Sequence, residues 1–240
     1  MSVARPTAAM AQQSGPGAAP DAGSAQRAPH VQKAGEVAAA SLVASNLVAP
    51  DCRGQNFYRV DRGLRDLLPL YLDAAPLAHF APHFDRMGEL AGGRLDELAD
   101  AADKHPPVLH PRDRFGRDED RIEYHPAYRE MERIAFGGFG LHAMSHRPGI
   151  LGWPETAPPA VKYTLQYLFV QAEFGLMCPI SVTDTSAHLL GRYGDAALRR
   201  RFFEPMTDPD ADRMLTGTQF MTEKTGGSDV GNIELTARPD

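Results

Sequence analysis

The residues best suited to chemistry lie near the end of the sequence, within residues 217–230. Two adjacent glycines, Gly226 and Gly227, accept backbone angles closed to other residues and let a ligand come close to the main chain. The N–H groups of such a turn form a concavity that suits an anion or an electron-rich ring edge. Thr222 and Ser228 add hydroxyls that both donate and accept hydrogen bonds. The pattern predicts a polar ligand-binding loop between two strands, and the alternative is an ordinary surface turn.

Histidines provide the other candidate ligands. Two pairs have the four-residue spacing that can hold a metal ion on one helix face: His79 with His83, and His142 with His146. No carboxylate motif accompanies the first pair, and a Pro-Gly step directly after the second ends any helix there. We therefore predict no metal site, and no residue is assigned as catalytic by motif.

Composition limits the class of protein. The chain has 240 residues, of which 42% are hydrophobic, so it can bury a sizeable core. Its net charge of −6, without a basic stripe, gives no support for binding a phosphate backbone. Cys52 and Cys178 lack metal-ligand spacing and suit a reducing compartment. With no apolar run long enough for a membrane span and no secretory h-region, we predict a cytoplasmic protein that does not enter membranes.

Three regions follow from the hydrophobic patterns. Residues 1–46 consist largely of Ala, Gly, Pro, Gln and Ser, and they predict a disordered tail. Residues 47–212 show helical spacing and predict a helical domain. From Arg213 the pattern changes to strands, and residues 213–240 predict the start of a β domain that two strands cannot complete. The fold class is therefore mainly α.

Local signals set the helix bounds. Asp61 is a predicted N-cap, Pro158-Pro159 opens the clearest helix, and Cys178-Pro179 is predicted to end it. Phe174 is expected on the apolar surface of that helix. Asp195 is predicted to cap a short basic helix over residues 196–203 that Pro205 ends.

The charged stretch 108–124 alternates in sign and is rich in turn residues. It predicts a solvated hairpin or loop. Its alternative is an arm that binds a partner or packs against another subunit.

The string Thr-Glu-Lys-Thr-Gly-Gly-Ser-Asp-Val, residues 222–230, resembles the flavin-binding signature of the acyl-CoA dehydrogenase family. Lys224 stands where most of the family has Pro, and the sequence of this stretch is most similar to that of the DNA-alkylation-response (AidB-like) branch. The stretches 124–128, 178–181 and 190–205 are also similar to the family or to this branch. The resemblance covers residues 47–240.

The resemblance implies an N-terminal helical domain followed by the first strands of a middle β-barrel domain, and it implies FAD as cofactor. It gives the flavin contacts to residues 219–228, hereafter the glycine-rich loop: Gln219, Phe220, Met221, Thr222, Glu223, Lys224, Thr225, Gly226, Gly227 and Ser228. The main chain near Met221 and Thr222 is expected at the pyrimidine edge of the flavin. Ser228 is expected at the diphosphate or at the acyl thioester of the substrate. Glu223 and Asp229 are interpreted as residues that fix the loop.

The activity implied by the resemblance is α,β-dehydrogenation of an acyl-CoA thioester, an oxidoreductase reaction on a CH–CH bond. The family's catalytic glutamate lies in a C-terminal domain that this sequence does not contain, so we expect the chain to be an N-terminal part that is inactive alone. The alternative is a flavin-containing DNA-binding protective protein with little dehydrogenase activity, whose DNA contacts lie in the same missing region. A third possibility is a helical interaction module without cofactor. The family resemblance also implies a homo-oligomer, typically a tetramer, for the full-length protein.

Overall fold

The architecture is described from a computed structural model, which covers residues 51–236 and Arg238. The predicted tail, residues 1–46, lies outside the described residues. The helices in chain order are α1 (Phe57–Val60), α2 (Arg62–Tyr71), α3 (Ala74–Ala91), α4 (Arg94–Asp103), α5 (Pro126–Glu132), α6 (Pro159–Val170), α7 (Met177–Tyr193), α8 (Ala196–Leu198) and α9 (Glu204–Met206). A hairpin of β1 (Val108–Arg112) and β2 (Asp118–Glu123) separates α4 from α5. The mainly helical fold class is confirmed.

Short helical turns of other kinds complete the described chain. A π-helical turn, Arg133–Gly138, extends α5, and another, Arg199–Phe203, joins α8 to α9. Turns of the 3-10 type span Ile150–Gly152 and Val230–Asn232. Within the described residues, no helix combines the length and the apolar character needed to cross a membrane.

The predicted helix starts are confirmed by their caps. The Asp61 carboxylate accepts a hydrogen bond from the Leu64 N–H at 2.8 Å, and the Asp195 carboxylate accepts one from the Leu198 N–H at 2.8 Å. Pro159 is the first residue of α6, where its missing N–H removes no helical hydrogen bond. Side-chain caps of this kind contribute about 1 kcal/mol each.

Two predicted helix ends are wrong. The helix that Pro159 opens ends at Val170, and Cys178 and Pro179 lie in the first turn of α7. Pro205 likewise lies at the start of α9, and the helical backbone continues to Met206. Pro179 is tolerated because the first turn of a helix has N–H groups without helical partners. Pro205 follows directly on the π-helical turn Arg199–Phe203, and the helical backbone runs through it.

The core forms where α3 packs against α6, with α4 and α5 alongside. Its largest buried side chains from these helices are Phe80, Phe84 and Met87 of α3, Leu95 of α4, Met131 of α5, and Leu165, Leu168 and Phe169 of α6. Burial of each such side chain contributes about 1.5–3 kcal/mol. Phe174, which we expected on this apolar surface, is 79% exposed because α6 has already ended.

The charged stretch after α4 is a hairpin, as predicted. Strand β1 pairs antiparallel with β2, and Leu109 lies opposite Ile122 in the register. All of its strand residues are exposed except the half-buried His110. Whether this hairpin serves as an arm for a partner stays a prediction.

Beyond Arg213 the chain differs from the strand pattern of its sequence. Residues 213–236 form no ladder hydrogen bonds among the described residues, and apart from the turn Val230–Asn232 their backbone is irregular. A strand is stabilised by neighbouring strands, and two short segments do not supply enough of them. The strands predicted from Arg213 onward are therefore not observed among the described residues.

Gly88 provides a test of the packing between α1 and α3. A Cβ atom added there would overlap the Asn56 side-chain oxygen and the Tyr58 backbone nitrogen, and would lie 2.6 Å from Tyr58 Cβ. Alanine stabilises a helix interior by about 1 kcal/mol relative to glycine, but overpacking costs about 1–3 kcal/mol. Because part of the obstruction is backbone, we expect Gly88→Ala to lower the free energy of unfolding by about 2 kcal/mol in urea denaturation.

The matched control is Gly63→Ala in α2, where the added Cβ would lie 3.5 Å from Asp61 Oδ1, an ordinary contact. We expect that change to be neutral or to stabilise by up to about 1 kcal/mol. Equal effects of the two substitutions would contradict the close approach of α1 to α3.

Candidate functional site

The segment that leads into the glycine-rich loop is fixed on α7. The buried Thr183 hydroxyl accepts a hydrogen bond from the Gly217 N–H at 3.0 Å. A Cβ atom on Gly217 would lie 2.5 Å from the Ser186 hydroxyl oxygen and 2.6 Å from its Cβ. Only glycine therefore fits between the segment and the helix, and this contact sets where the loop begins.

The Glu223 carboxylate ties the start of the loop to the chain that follows it. One oxygen accepts from the Glu234 N–H at 2.7 Å and the other from the Leu235 N–H at 3.1 Å. The Glu223 N–H itself donates to the Gly226 carbonyl at 2.7 Å. Hydrogen bonds to a charged acceptor are roughly twice as strong as neutral ones. In this structure Glu223 is a structural residue of the loop, in agreement with its interpretation from the sequence.

The two loop glycines have different surroundings. Gly226 is buried, and a Cβ atom there would lie 2.9 Å from the Asp229 carbonyl oxygen. Gly227 is exposed, and its nearest neighbour would be the Thr222 methyl group at 3.9 Å. The Asp229 carboxylate accepts from the Asn232 side-chain amide, which fixes the turn that follows. Packing therefore requires one glycine, while the other leaves the main chain open beside Thr222.

The remaining groups of the glycine-rich loop point to solvent. Phe220 is 91% exposed and Met221 is 49% exposed. The other exposed residues of the loop are Gln219, Thr222, Lys224, Thr225, Gly227 and Ser228. Among residues 51–236, the backbone N–H groups of Met221 and Thr222 have no hydrogen-bond partner. The loop thus presents free amides and hydroxyls beside apolar side chains, a set of groups that fits the polar edge and flat face of a flavin.

A second polar cluster lies on the same helix, one residue after Thr183. The Asp184 carboxylate accepts from His146 Nε2 at 2.8 Å and from the Lys162 ammonium at 2.8 Å. Burial alone would raise the pKa of Asp184, but the hydrogen bonds from His146 and Lys162 outweigh it and hold that pKa below its ordinary value. The cluster joins α6, α7 and the segment before the turn Ile150–Gly152 by charge-assisted contacts away from water.

Sequence reasoning missed this cluster. The available signal was Lys162, a charged residue within the apolar stretch that predicts α6. A lysine among core positions needs a buried anionic partner. Its partner, Asp184, is 22 residues away, and neither spacing nor motif connects them.

The two histidines of the second pair have different partners. His146 bonds Asp184, whereas His142 Nε2 donates to the Asp208 carbonyl at 3.1 Å. Burial lowers the pKa of His142 to about 4. His142 Nδ1 is buried without a hydrogen-bond partner among the described residues. In the first pair, His79 Nε2 lies 3.0 Å from the Leu151 carbonyl oxygen.

The helical body and the glycine-rich loop, whose preceding segment is fixed on α7, can be compared with known protein families. Residues 47–213 match the family described as the adaptive response protein AidB N-terminal domain. The chain belongs to this family. The resemblance of its residues to the AidB-like branch of the acyl-CoA dehydrogenase family is confirmed.

Two relatives support this family assignment. The chain is 24% identical over 180 residues to acyl-CoA dehydrogenase family member 11 of Caenorhabditis elegans, a match that covers 71% of this chain and 27% of the relative. It is 29% identical over 145 residues to the putative acyl-CoA dehydrogenase AidB of Escherichia coli (strain K12), which covers 56% of this chain and 25% of that one. The chain thus matches about a quarter of the length of these relatives.

Solved structures are similar as well. Bd2924 in its apo form has 28% identity and a TM-score of 0.68, over 81% of this chain and 39% of that one. Caenorhabditis elegans ACDH-11, solved in complex with C11-CoA, has 20% identity and a TM-score of 0.65, over 78% of this chain and 32% of that one. The second similarity supports the fold alone.

His142 gives a testable pH dependence. Its pKa of about 4 in the fold lies below the ordinary 6.5. The unfolded chain therefore binds the proton more readily between these values, and stability is lost as the pH falls through that window. We expect this histidine to account for a loss of about 2 kcal/mol between about pH 7 and about pH 5. In His142→Gln, urea denaturation at the two pH values should give a difference smaller by about that amount.

His188→Gln is the matched control, because His188 is exposed and the chemical change is the same. Its unfolding free energies at the two pH values should differ as in the unaltered chain. An unchanged pH difference in His142→Gln would contradict the buried neutral imidazole.

Proposed function

We propose that this chain is the N-terminal part of an FAD-dependent oxidoreductase that acts on the CH–CH bond of an acyl-CoA thioester. In this proposal the glycine-rich loop contacts the flavin. The observation that carries it is the loop geometry. Glu223 holds the loop closed from behind, while the N–H groups of Met221 and Thr222 and the hydroxyls of Thr222 and Ser228 stay free on the exposed side.

The free amides fit the electronic needs of a flavin. When bound, FAD supplies a ring that accepts a hydride, and negative charge builds up on the pyrimidine side of that ring. Backbone N–H groups already oriented toward this edge stabilise the charge without reorganisation. Thr222 adds a hydroxyl donor at the same edge, and Phe220 and Met221 offer apolar surface that a ring or a neighbouring strand would cover.

The substrate class rests on the relatives. Both curated relatives are named acyl-CoA dehydrogenases, and one structural neighbour was solved with C11-CoA. We assign the catalytic base to a part of the protein beyond this chain, because the family resemblance places that glutamate in a C-terminal domain and the carboxylates of the glycine-rich loop and its next residue are engaged in structural bonds. Glu223 is engaged with two backbone amides and Asp229 with Asn232. We therefore expect these 240 residues alone to show no turnover.

FAD binding is tested on the full-length gene product that contains this chain. We expect the purified protein to be yellow, and we expect Thr222→Val together with Ser228→Ala to weaken FAD binding. Each lost hydrogen bond contributes about 0.5–1.5 kcal/mol, so the pair should raise the Kd about tenfold, measured by quenching of flavin fluorescence.

Thr218→Val is the control, since Thr218 is an exposed hydroxyl residue of the same segment outside the glycine-rich loop. It should leave the Kd unchanged. A protein that is colourless and stays so after incubation with excess FAD, or equal effects of the control and the double variant, would contradict the flavin assignment.

A second function has one observation in its favour, the description of the family as an adaptive response protein. A flavoprotein that protects DNA would bind duplex with a strong dependence on salt and would not be bleached by an acyl-CoA. The net charge of −6 gives this part of the protein no electrostatic basis for such binding. We expect anaerobic acyl-CoA to bleach the flavin absorbance of the full-length protein, and a flavin that stays oxidised while the protein binds duplex would favour the protective function.

A further inference from the structure

A cleft of about 420 Å³ lies beside α7, on residues that the proposed flavin contacts do not use. It is lined by Ser145, His146, His188, Gly191, Arg192 and Phe203. Arg192 is cationic, and His146 and His188 become cationic on protonation. Within the described part of the chain, no carboxylate lines the cleft. The lining therefore favours an anionic ligand.

His146 is held in a fixed orientation at the cleft. Its side chain is 9% exposed, and its Nε2 donates to the Asp184 carboxylate at 2.8 Å. Because Lys162 neutralises that carboxylate, the cluster adds no net negative charge next to the cleft. His146 Nδ1 has no hydrogen-bond partner among the described residues, so this nitrogen is left for a ligand.

Arg192 provides a full positive charge, and His188 adds a second nitrogen ligand beside it. They are four residues apart on α7 and therefore share one helix face. Both are exposed, and neither forms an ion pair with a carboxylate of the described residues. A guanidinium without a carboxylate partner can donate to two phosphate oxygens, and an imidazole on the same helix face can add a further hydrogen bond.

Phe203 forms an apolar wall of the same cleft. Its ring lies on α7 where Gly191 has no side chain, since a Cβ atom there would be 3.0 Å from the ring. The ring also packs edge-on against His146, with centroids 5.9 Å apart. An inorganic ion would leave this wall and much of the cleft volume without contact, whereas an organic phosphate would use both.

One feature of the fold opposes an anion here. The cleft is close to the carboxyl end of α7, where unpaired carbonyls carry roughly half a negative charge. One of these carbonyls, that of Gly194, accepts a hydrogen bond from Arg199 Nε at 2.9 Å. The full charge of Arg192 outweighs what remains of this partial charge.

We propose that the cleft binds an organic phosphate monoester. Arg192 and His188 hold the phosphate group, His146 Nδ1 accepts a hydrogen bond from the P–OH of its monoprotonated form, and Phe203 packs against the body of the ligand. The proposal does not depend on the flavin assignment.

The experiment titrates the full-length gene product with adenosine 5′-monophosphate, followed by calorimetry at low salt. Arg192→Gln should weaken binding by about tenfold or more, because a charge-assisted hydrogen bond is lost. Arg200→Gln removes the same charge from an exposed arginine outside the cleft, and it should change the affinity by less than about twofold. Equal effects of the two variants, or no binding at millimolar ligand, would overturn the proposal.

Two further measurements show which part of the ligand is recognised and at which site it binds. Inorganic phosphate should compete more weakly than the nucleotide, and adenosine without phosphate should not compete. Saturation of the protein with FAD should leave nucleotide binding unchanged, which distinguishes this cleft from the flavin site. Loss of nucleotide binding on saturation with FAD would place the nucleotide at the flavin site and contradict the cleft assignment. Equal binding of phosphate and nucleotide would refute the role of Phe203.

Discussion

The arrangement of the described chain depends on the contacts of the half-buried Asp184 carboxylate. It accepts hydrogen bonds from His146 and Lys162, and so it links α7 to α6 and to the segment that precedes α6. A buried charge is tolerated only when it is paired, and removal of one partner leaves the others desolvated and uncompensated. The three residues therefore act as a unit, and α7 has one position relative to the core that satisfies them.

The position of α7 in turn determines where the candidate site lies. Thr183, the neighbour of Asp184, holds Gly217, and Ser186 leaves space there only for a residue without a side chain. The glycine-rich loop then begins a few residues after a point fixed on α7, and Glu223 closes it internally through backbone amides. The loop therefore combines a rigid frame with an exposed row of donors, an arrangement that allows a cofactor to bind without a large ordering cost.

Local signals in the sequence predicted much of the fold, but they could not predict contacts between residues that lie far apart along the chain. Asp61, Asp195 and Pro159 mark helix starts because capping and proline geometry act within one turn. Helix ends were harder to predict, since Pro179 lies in the first turn of a new helix and Pro205 lies within a helical run that continues to Met206. The glycine-rich loop was found by its string of residues. The partner of Lys162 was not, because the pairing of α6 with α7 is a property of the packed structure.

The charged hairpin has one further consequence, for self-association in concentrated solution. A two-stranded ribbon has two open margins along which a copy of itself could extend the ladder. Pro111 removes a donor from the margin of β1, and four of the six residues of β2 are carboxylates: Asp118, Glu119, Asp120 and Glu123. Pairing of two hairpins through β1 would leave a carbonyl without a donor opposite Pro111. Pairing through β2 would bring carboxylates close to one another. Within the described residues, this exposed hairpin is thus a poor template for extension of its ladder by a second copy.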